Sequence, residues 1–482
     1  MSKTKVKNGF SYNLNGWKYI SIKGAAKERG YAYGYLCADL FKEIQKMLEY
    51  TILEQYGQTW EYMVNNINFD IKEKTKKDFK EIYEEMEGIS DGLNAAGTKT
   101  NVDEIIAWNF FNSISYWYQS IKPKSPYHKN NSSKEGGGAK DKCSAFIACG
   151  DYTEDGKIVV AHNTFEDFTS GQYYNIILSI EPTTGYNILM QTCPCWIYSG
   201  SDFFVTSKGI IGTETTIGGF DGYVNNIPLP YRARKAMQYG KSLDDYIEIF
   251  LVGNSGDYAS SWLFGDTETN EILVLELGLL YHKIERTKNG YFIGYNAASD
   301  PKIRNLECVN SGFYDIRRHQ GARRVRLSEL MEENKGKINI DIAKKIIADH
   351  YDVYLLKDNN PCSRTVCSHY ELDPREYMSQ SDRPKPFDPR GAIDGCVTDT
   401  KLIKDMSFWG RFGSSCGTPF NKDEFCKKHI QYSNFHEYLH DRPSQPWTKF
   451  SFEKVTGKNN KLKVLSKRKK NNKNKSVKTS KN

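Results

Sequence analysis

The sequence predicts an α+β fold in which helical segments come before and after a long run of short strands. Over about 25–118, apolar residues recur every three or four positions, which is the period of an amphipathic helix. From Cys143 onward the period changes to two, which is typical of strands. Helical spacing returns at about 232–251, 323–333 and 340–350. Strands flanked in this way by helices indicate a layered domain.

The N-terminal part begins with one predicted strand, WKYISI at 17–22, and continues as helices. Asn101 precedes the run VDEIIAWNFF and has Glu104 three residues on, which predicts a helix N-cap with a capping box. The apolar faces of these helices need a partner. We therefore expect 1–122 to form a helical N-terminal segment that stays associated with the rest of the protein.

A polar, glycine-rich stretch follows at 123–142, and its composition predicts a flexible linker that proteases can reach. The linker ends abruptly at Cys143, where an alternating apolar run begins. Turn signals separate eight predicted strands, which are CSAFIACG, KIVVAH, YYNIILSIE, YNILMQT, GIIGTETT, SWLFGD, EILVLELG and YFIGYN. The part after Tyr351 is rich in proline and glycine and is expected to be irregular.

The net charge of +8 resides in the tail, because residues 454–482 hold 12 Lys and Arg and no acid, against 55 basic and 59 acidic residues elsewhere. We expect a disordered tail. The alternatives are a nuclear localisation signal and a segment that contacts an anionic membrane or nucleic acid. No apolar signal segment or membrane span is visible, so a cytoplasmic location is the default expectation. The 11 cysteines predict mostly free thiols.

Cys143 has two interpretations. A cysteine at the start of a buried strand is commonly a small hydrophobic residue. If the bond between Lys142 and Cys143 is cut, however, Cys143 carries both a thiol and a free α-amino group. That amine has a reference pKa of about 7.7–8.0, so it can act as a base at neutral pH. One residue would then supply both nucleophile and base, which is the principle of an N-terminal nucleophile.

The segment CSAFIACGDYTEDGKIVVAHNTF, which starts at Cys143, resembles the start of the mature chain in phospholipase B-like proteins. These belong to the N-terminal nucleophile (Ntn) hydrolases, with acid ceramidase, penicillin V acylase and the penicillin-biosynthetic acyltransferase. Further blocks resemble the family in order, at 199–219, 254–262, 290–301, 391–402 and 439–447. The resemblance implies a four-layer α-β-β-α sandwich over 143–450, a pro-chain that stays bound, and a linker that is cut or removed.

The resemblance also implies site residues by matched position. Cys143 takes the place of the nucleophile, and His162, in AHNTF, that of an active-site histidine. Asn296, in IGYN, matches an asparagine whose carboxamide N–H stabilises the oxyanion without a change of charge. Arg323 matches an arginine near the site, with Arg324 as the alternative register. By themselves, His162 reads as a structural strand-end histidine and Arg323 as a surface cation at a helix start.

Four more residues are expected to bind substrate or to support the site. Asn163 and Thr164 follow His162 directly and are expected to orient the amine of Cys143. Thr215, within Glu214–Thr216, and Asn254 fit family blocks and are expected to act as supporting residues.

Three motifs could bind metal or do redox chemistry. HEYLH at 436–440 has the form of a zinc-protease helix, but Pro443 follows closely and no third ligand is apparent. CPC at 193–195 and CSRTVCSH at 362–369 are interpreted as buried thiols beside turns, with metal binding or a redox pair as the alternative. We therefore expect neither a metal nor a cofactor.

The expected function is that of an acyl hydrolase that cleaves lipid ester or amide bonds through an S-acyl enzyme on Cys143, which water resolves. Two alternatives are an acyltransferase or amidase of the penicillin acyltransferase type, and a noncatalytic lipid-binding protein with the same fold. The expected partners are an acyl substrate and, for each cut chain, the other chain. A lysosomal or secreted location rests on family analogy alone.

Overall fold

Runs of helices and runs of strands follow one another along the described part of the chain. The structure, a computed structural model, describes residues 2–121, 142–309, 311–375 and 385–455. Nearly all of the predicted linker 123–142 and of the predicted tail 454–482 lies outside these residues. Within them, no helix is both long enough and apolar enough to cross a membrane.

The helices are α1 Ala26–Tyr56, α2 Trp60–Asp78, α3 Lys80–Ala95, α4 Val102–Asn109, α5 Ile114–Ile121, α6 Phe168–Gly171, α7 Leu229–Tyr239, α8 Leu243–Leu251, α9 His319–Glu333, α10 Ile340–Ile346, α11 Thr400–Lys404 and α12 Lys422–Lys428. The strands are β1 Thr4–Val6, β2 Gly9–Leu14, β3 Trp17–Gly24, β4 Cys143–Cys149, β5 Val159–Asp167, β6 Ile176–Pro182, β7 Ile188–Thr192, β8 Phe203–Thr206, β9 Ile210–Thr216, β10 Ser260–Asp266, β11 Glu271–Leu277, β12 His282–Thr287, β13 Gly290–Gly294, β14 Arg390–Ala392, β15 Asp394–Asp399, β16 Ser407–Phe412 and β17 Thr448–Ser451.

Helix starts follow the predicted caps only in part. The Asn101 side chain accepts a hydrogen bond from the Glu104 backbone N–H at 2.9 Å, so the predicted N-cap is confirmed. The reciprocal half of the capping box is absent, because the Glu104 carboxylate instead accepts from Trp60 Nε1 at 3.1 Å. The helical stretch predicted at 232–251 is two helices, α7 and α8, and Ser242 caps the second.

The larger sheet has ten strands in the order β1-β2-β3-β6-β7-β8-β9-β10-β11-β12. Its neighbours are antiparallel except β3 and β6, which run parallel from the pair Lys18–Ile176 to the pair Gly24–Pro182. Strands β1 to β3 come from the N-terminal segment, so that segment is not only helical. It supplies one end of a sheet that the rest of the chain continues.

The second sheet has the order β13-β4-β5-β15-β16-β17, with β14 paired to the end of β5. Four of its strands come after Tyr351, so the expectation of an irregular C-terminal part is wrong. The pattern was hidden because β15 is buried at five consecutive positions and shows no polar alternation.

Alternate residues of the strands point to different cores. In β3, Trp17 and Tyr19 belong to an apolar cluster that also contains Ile147 of β4 in the other sheet. Ile20 and Ile22 belong to a second cluster, shared with the N-terminal helices and with α7 and α8. The opposite face of the smaller sheet packs against α9 and α10. The core thus lies both between the sheets and outside them, and the fold is a mixed α and β structure.

Helices α1 and α3 approach each other closely enough that their glycines face backbone. A Cβ atom at Gly30 or Gly34 of α1 would overlap a carbonyl oxygen of α3, and one at Gly88 or Gly92 would overlap a carbonyl oxygen of α1. Glycine inside a helix costs about 1 kcal/mol relative to alanine. Here that cost is offset because only glycine permits the contact.

A buried ion triad joins the N-terminal helices to the remainder of the fold. The carboxylate of Glu85 in α3 accepts from Arg29 Nε at 2.7 Å and from both terminal nitrogens of Arg234 at 3.0 and 2.9 Å. Arg29 lies in α1, whereas Arg234 lies in α7, beyond the predicted cut. Burial acts to raise the pKa of Glu85, but the two guanidinium groups outweigh it and hold that pKa below its usual value.

Replacement of Glu85 by Gln should lower the free energy of unfolding by about 3–5 kcal/mol, because two buried arginines lose their counter-charge. Denaturant unfolding of the purified protein measures this change. Glu87→Gln on the same helix is the matched control, since Glu87 forms only a surface pair with Lys27 at 3.8 Å; its effect should stay within about 0.5 kcal/mol. Equal effects of the two substitutions would contradict a structural role for the triad.

Candidate active site

Every polar atom of Cys143 meets a partner from a different part of the fold. The residue is fully buried at the first position of β4, in a chain that continues through Lys142. Its backbone N–H donates to Asn296 Oδ1 at 3.3 Å, and its carbonyl accepts from Arg323 Nη1 at 2.6 Å. Its Sγ lies 3.8 Å from Glu214 Oε1. The thiol, the preceding peptide bond and the residue's own carbonyl are therefore held independently.

Asn296 is fixed in orientation by the groups around it. Its Oδ1 accepts from the Cys143 N–H and, at 2.8 Å, from Arg323 Nη2, while its Nδ2 donates to the Thr216 carbonyl at 2.7 Å. Because the first two partners are donors and the third is an acceptor, only one placement of the amide satisfies all three. The backbone of Asn296 has φ of 64°, a left-handed conformation that asparagine tolerates better than most residues.

Arg323, rather than Arg324, is the arginine beside Cys143. It is fully buried in α9, and it also donates to Ser144 Oγ at 3.1 Å. Arg324 instead donates from Nε to the Phe313 carbonyl at 3.0 Å. The interpretation of Arg323 as a surface cation at a helix start is wrong, because burial leaves this guanidinium no solvent contact.

The β4–β5 ladder brings the three predicted residues of AHNTF alongside the start of β4. Thr164 pairs with Cys143, Asn163 with Ser144, and His162 with Ala145. Asn163 Oδ1 accepts from the Ser144 N–H at 3.2 Å, so it fixes the residue after Cys143 and not the Cys143 nitrogen itself.

Thr164 is held by a buried carboxyl group that the sequence did not single out. Its N–H donates to Asp394 Oδ1 at 2.8 Å, and Gln191 Nε2 donates to Asp394 Oδ2 at 2.5 Å. Burial raises the pKa of Asp394 to about 7, which these hydrogen bonds only partly offset.

His162 lies on the same face of the sheet as Cys143, because paired residues share a face. The two are diagonal neighbours across the ladder, a relation that separates side chains by about 7–8 Å. Neither ring nitrogen of His162 has a hydrogen-bond partner among the described residues. Burial lowers the pKa of His162 to about 3, and the nearby backbone of Glu214 offsets little of that fall. The ring is therefore neutral at physiological pH.

An acidic pair faces the thiol from the larger sheet. Tyr258 Oη lies 3.1 Å from Asp202 Oδ2 and 3.1 Å from Glu214 Oε1, so its one hydroxyl proton can be donated to either carboxyl group. Burial, and then the neighbouring Glu214, raise the pKa of Asp202 well above its usual value, and burial also raises the pKa of Glu214. Burial followed by the same carboxylates raises the pKa of the Cys143 thiol. Burial therefore favours the protonated forms of the pair and of the thiol in the uncut chain.

Asp202 and Tyr258 are, like Asp394, site residues that sequence reasoning missed. Both lie inside blocks that carried the family resemblance, at 199–219 and 254–262, but no spacing between them marks a pair. The signal available was the presence of two acidic residues, Asp202 and Glu214, in the one block 199–219. The described residues contain two groups of Cys, His, Asp and Glu close enough to share a metal ion; one is this acidic pair with Cys143, and the other is built from histidines and cysteines elsewhere in the fold.

Lys142 separates the buried thiol from a cavity of about 470 Å³. Its Nζ donates to Glu166 Oε2 at 2.6 Å and to Asn112 Oδ1 at 2.8 Å, and its carbonyl accepts from the Phe165 N–H. Lys142 lines the cavity, whereas Cys143, the next residue, is not part of its wall. The lining is mixed: among the described residues it contains seven aromatic side chains, namely Tyr50, Tyr56, Phe111, Tyr116, Tyr258, Tyr370 and Phe435, and eight charged ones, namely Glu54, Lys142, Glu166, Asp167, Arg375, Lys385, Asp388 and Arg390.

Two predicted supporting residues lie outside the hydrogen-bond network of Cys143. The Thr215 side chain packs against Gly294, where a Cβ would overlap it, and so fits β9 against the end of β13. Asn254 donates to the Gly278 carbonyl at 2.6 Å and accepts from the Gly256 N–H at 3.1 Å. Asn254 therefore fixes a turn, and its hydrogen bonds among the described residues do not reach the thiol.

The histidines of HEYLH have separate partners. His436 Nε2 pairs with Asp423 Oδ1 at 2.5 Å, and His440 Nε2 lies 3.7 Å from Glu43 Oε2. The 3₁₀ helix that contains His436 ends at Tyr438, before His440. The two cysteines of CPC are buried in the core between the larger sheet and its helices.

The comparison with known proteins assigns the chain to a family. A family model described as Phospholipase B matches residues 7–273, which is more than half of the sequence and includes Cys143, His162 and Glu214. No curated protein matches. Among solved structures, the chain is similar to a mutant of the conjugated bile acid hydrolase from Clostridium perfringens, with 11% identity and a TM-score of 0.32 over 56% of this chain and 89% of that one. The family supports a hydrolase, and the resemblance seen in the sequence is confirmed: the chain belongs to the phospholipase B family.

Proposed function

We propose that this protein is a cysteine Ntn hydrolase that cleaves acyl ester or amide bonds of lipids, with Cys143 as its nucleophile after a cut behind Lys142. One observation carries the proposal. The β4–β13 ladder ends at the pair Ala145–Gly294, and the Cys143 nitrogen beyond it donates to the side chain of Asn296. A nitrogen held by a buried side chain keeps its place when the chain before it is removed.

The contacts of the peptide bond before Cys143 support cutting at that bond. The Phe165 N–H donates to the Lys142 carbonyl and so polarises it toward attack. In the proposed step the thiol proton passes to Glu214, whose Oε1 is 3.8 Å away, and Sγ bonds to the Lys142 carbonyl carbon. The C–N bond breaks, the proton returns to the nitrogen, and water hydrolyses the resulting thioester. Residues 1–142 and 143–482 are the products, and further trimming of the linker is compatible with this scheme.

Departure of Lys142 would open the site. Its side chain fills the space between Glu166, Asn112 and the ring of Tyr258, whose centroid is 5.9 Å from Nζ. Once the new carboxyl terminus moves away, the cavity extends to the thiol, and the Phe165 N–H loses its carbonyl acceptor. We propose that an acyl chain lies in this cavity and that the Phe165 N–H contributes to the oxyanion site.

After the cut, Asn296 Oδ1 would orient the free amine of Cys143 as the base for its own thiol. The predicted oxyanion role of Asn296 stays a prediction, since its Nδ2 donates to the Thr216 carbonyl in the uncut chain and would have to exchange that bond. Arg323 fixes both Asn296 and the Cys143 carbonyl, and we propose that it positions these groups. For His162, burial in the neutral form supports a packing role beside the nucleophile.

We further propose that the two sheets and their outer helices form the four-layer sandwich of Ntn hydrolases, with 143–450 as catalytic domain and 1–122 as a bound pro-chain. The three separate apolar clusters, one between the sheets and one on each outer face, support this arrangement. The N-terminal strands and the Glu85 triad support continued association of the two chains after a cut.

Acyl-enzyme trapping tests the function directly. We expect wild-type protein, incubated with a p-nitrophenyl fatty acyl ester and quenched in acid, to gain one acyl mass on the peptide that contains Cys143. Cys143→Ala should remain a single chain and gain no acyl group, whereas Cys308→Ser, at a half-buried thiol outside the site, should behave as wild type. Failure to acylate, with lipid binding intact, would favour the noncatalytic alternative, and faster release by added amines than by water would favour a transferase.

Asn296→Ala should lower kcat of the cut enzyme by about 100- to 1000-fold, the usual loss for one oxyanion-hole donor, which is the predicted role of its carboxamide N–H. Asn296→Asp should be at least as harmful, because a carboxylate repels the developing negative charge. Asn254→Ala is the matched control, since Asn254 only fixes a turn, and its kcat should remain within a few-fold of wild type. Steady-state kinetics on cut protein measure the difference; full kcat in Asn296→Ala would refute the assignment.

A further inference from the structure

Four metal-ligating side chains from three distant segments meet beside the smaller sheet. His350 follows α10, Cys367 and His369 lie in the loop that leads toward β14, and Cys416 follows β16. One nitrogen or sulfur atom from each lies within 4.8 Å of all the others. Cys367 and His369 are buried, while His350 and Cys416 are half-buried. This cluster is separate from the group around Cys143.

The spacing within the cluster fits a tetrahedral ion. His369 Nε2 lies 3.4 Å from the Sγ of Cys367 and 3.4 Å from the Sγ of Cys416. Zinc bonds of about 2.3 Å to sulfur and about 2.0–2.1 Å to nitrogen give a tetrahedron whose S–N edges are about 3.5 Å. The two S–N distances of 3.4 Å are therefore close to the length that a shared zinc ion would impose.

Both imidazole rings are held with Nε2 toward the cluster. His369 Nδ1 lies 2.8 Å from Glu371 Oε1, and His350 Nδ1 lies 3.3 Å from Asn359 Oδ1. With Nδ1–H donating to these oxygens, each Nε2 keeps a free lone pair, which is the usual arrangement of metal-bound histidine. His350 Nε2 is buried and has no hydrogen-bond partner among the described residues.

We propose that His350, Cys367, His369 and Cys416 bind one Zn²⁺ ion in a closed structural site. Two thiolates and two imidazoles in a tetrahedral arrangement are the donor set that selects zinc. All four positions are taken by protein, so the ion has no open position for a substrate. The site is independent of the proposed acyl hydrolase activity.

The ion would hold together the three ligand-bearing segments, which in turn support the start of β4. Asn163 Nδ2 donates to the carbonyls of Ile347 and Val366 and to Ser415 Oγ, at 2.8, 3.3 and 3.1 Å. Each of these three residues is at most three positions from a ligand. Asn163 Oδ1 in turn binds the Ser144 N–H at 3.2 Å, so the proposed site holds the loops on which the strand of Cys143 rests.

Elemental analysis of untagged, full-length protein tests the site. We expect about one zinc per chain after dialysis, and a loss of at least tenfold in zinc content in Cys367→Ser and in Cys416→Ser. Cys362→Ser is the matched control from the same CSRTVCSH motif, because its Sγ faces Asp352 Oδ2 at 3.6 Å and not the cluster. Glu371→Gln should weaken zinc binding by about 10–100-fold, the usual effect of losing a carboxylate behind a histidine ligand.

Cobalt substitution of the wild-type protein keeps the proposal testable if the cysteine variants do not fold. A thiolate-to-cobalt charge-transfer band together with intense tetrahedral d–d bands would support it. Protein without metal, zinc retained at full occupancy in both cysteine variants, or a Cys367–Cys416 disulfide in the freshly purified protein would each overturn it.

Discussion

The hydrogen bond between the Cys143 nitrogen and Asn296 Oδ1 is the contact on which the arrangement of the site depends. It exists because β13 stops pairing with β4 at Gly294, two residues before Asn296, and so leaves the nitrogen to a side chain. Arg323 completes the contact by binding both Asn296 and the Cys143 carbonyl. All these atoms are buried, where a hydrogen bond to a charged donor is stronger and an unpaired group costs more.

The same burial explains why the uncut chain favours the protonated thiol, which is a weaker nucleophile than the thiolate. The thiol, Asp202 and Glu214 have raised pKa values chiefly because solvent is excluded. Lys142 occupies the space that leads to the cavity, while its ammonium group opposes part of the rise in the pKa of the thiol. A cut would allow Lys142 to leave this space and would give Cys143 a free amine. The parallel β3–β6 pairing and the Glu85 triad would keep the two chains together.

Much of the site followed from the family resemblance, because its residues lie in short motifs that match the family. Cys143, Asn163, Asn296 and Arg323 were each predicted, and the structure brings them together. Asp202 and Tyr258 could not be predicted, because they reach Cys143 across the gap between two sheets and only the packing of those sheets defines that distance. The His350–Cys416 cluster was missed for a related reason: CSRTVCSH supplies just two of its four members.

The fold was predictable where strands have one polar face or helices have clear periods. Strands β14 to β17 were missed, since β15 is buried on both faces and β14 has only three residues. Edge strand β12 was missed because it is mostly exposed and carries charged residues, which keep a sheet edge from pairing with other chains. In both cases the burial pattern of the strand depends on the elements that pack beside it, and the local sequence does not show which elements these are.

N-terminal sequencing of the larger chain from catalytically active protein tests the central claim most directly. A cut made by the Cys143 thiol on the Lys142 carbonyl leaves one possible first residue. The account predicts that the sequence begins Cys-Ser-Ala-Phe, from Cys143. An active enzyme that is a single uncut chain, or whose larger chain begins at any other residue, would contradict it.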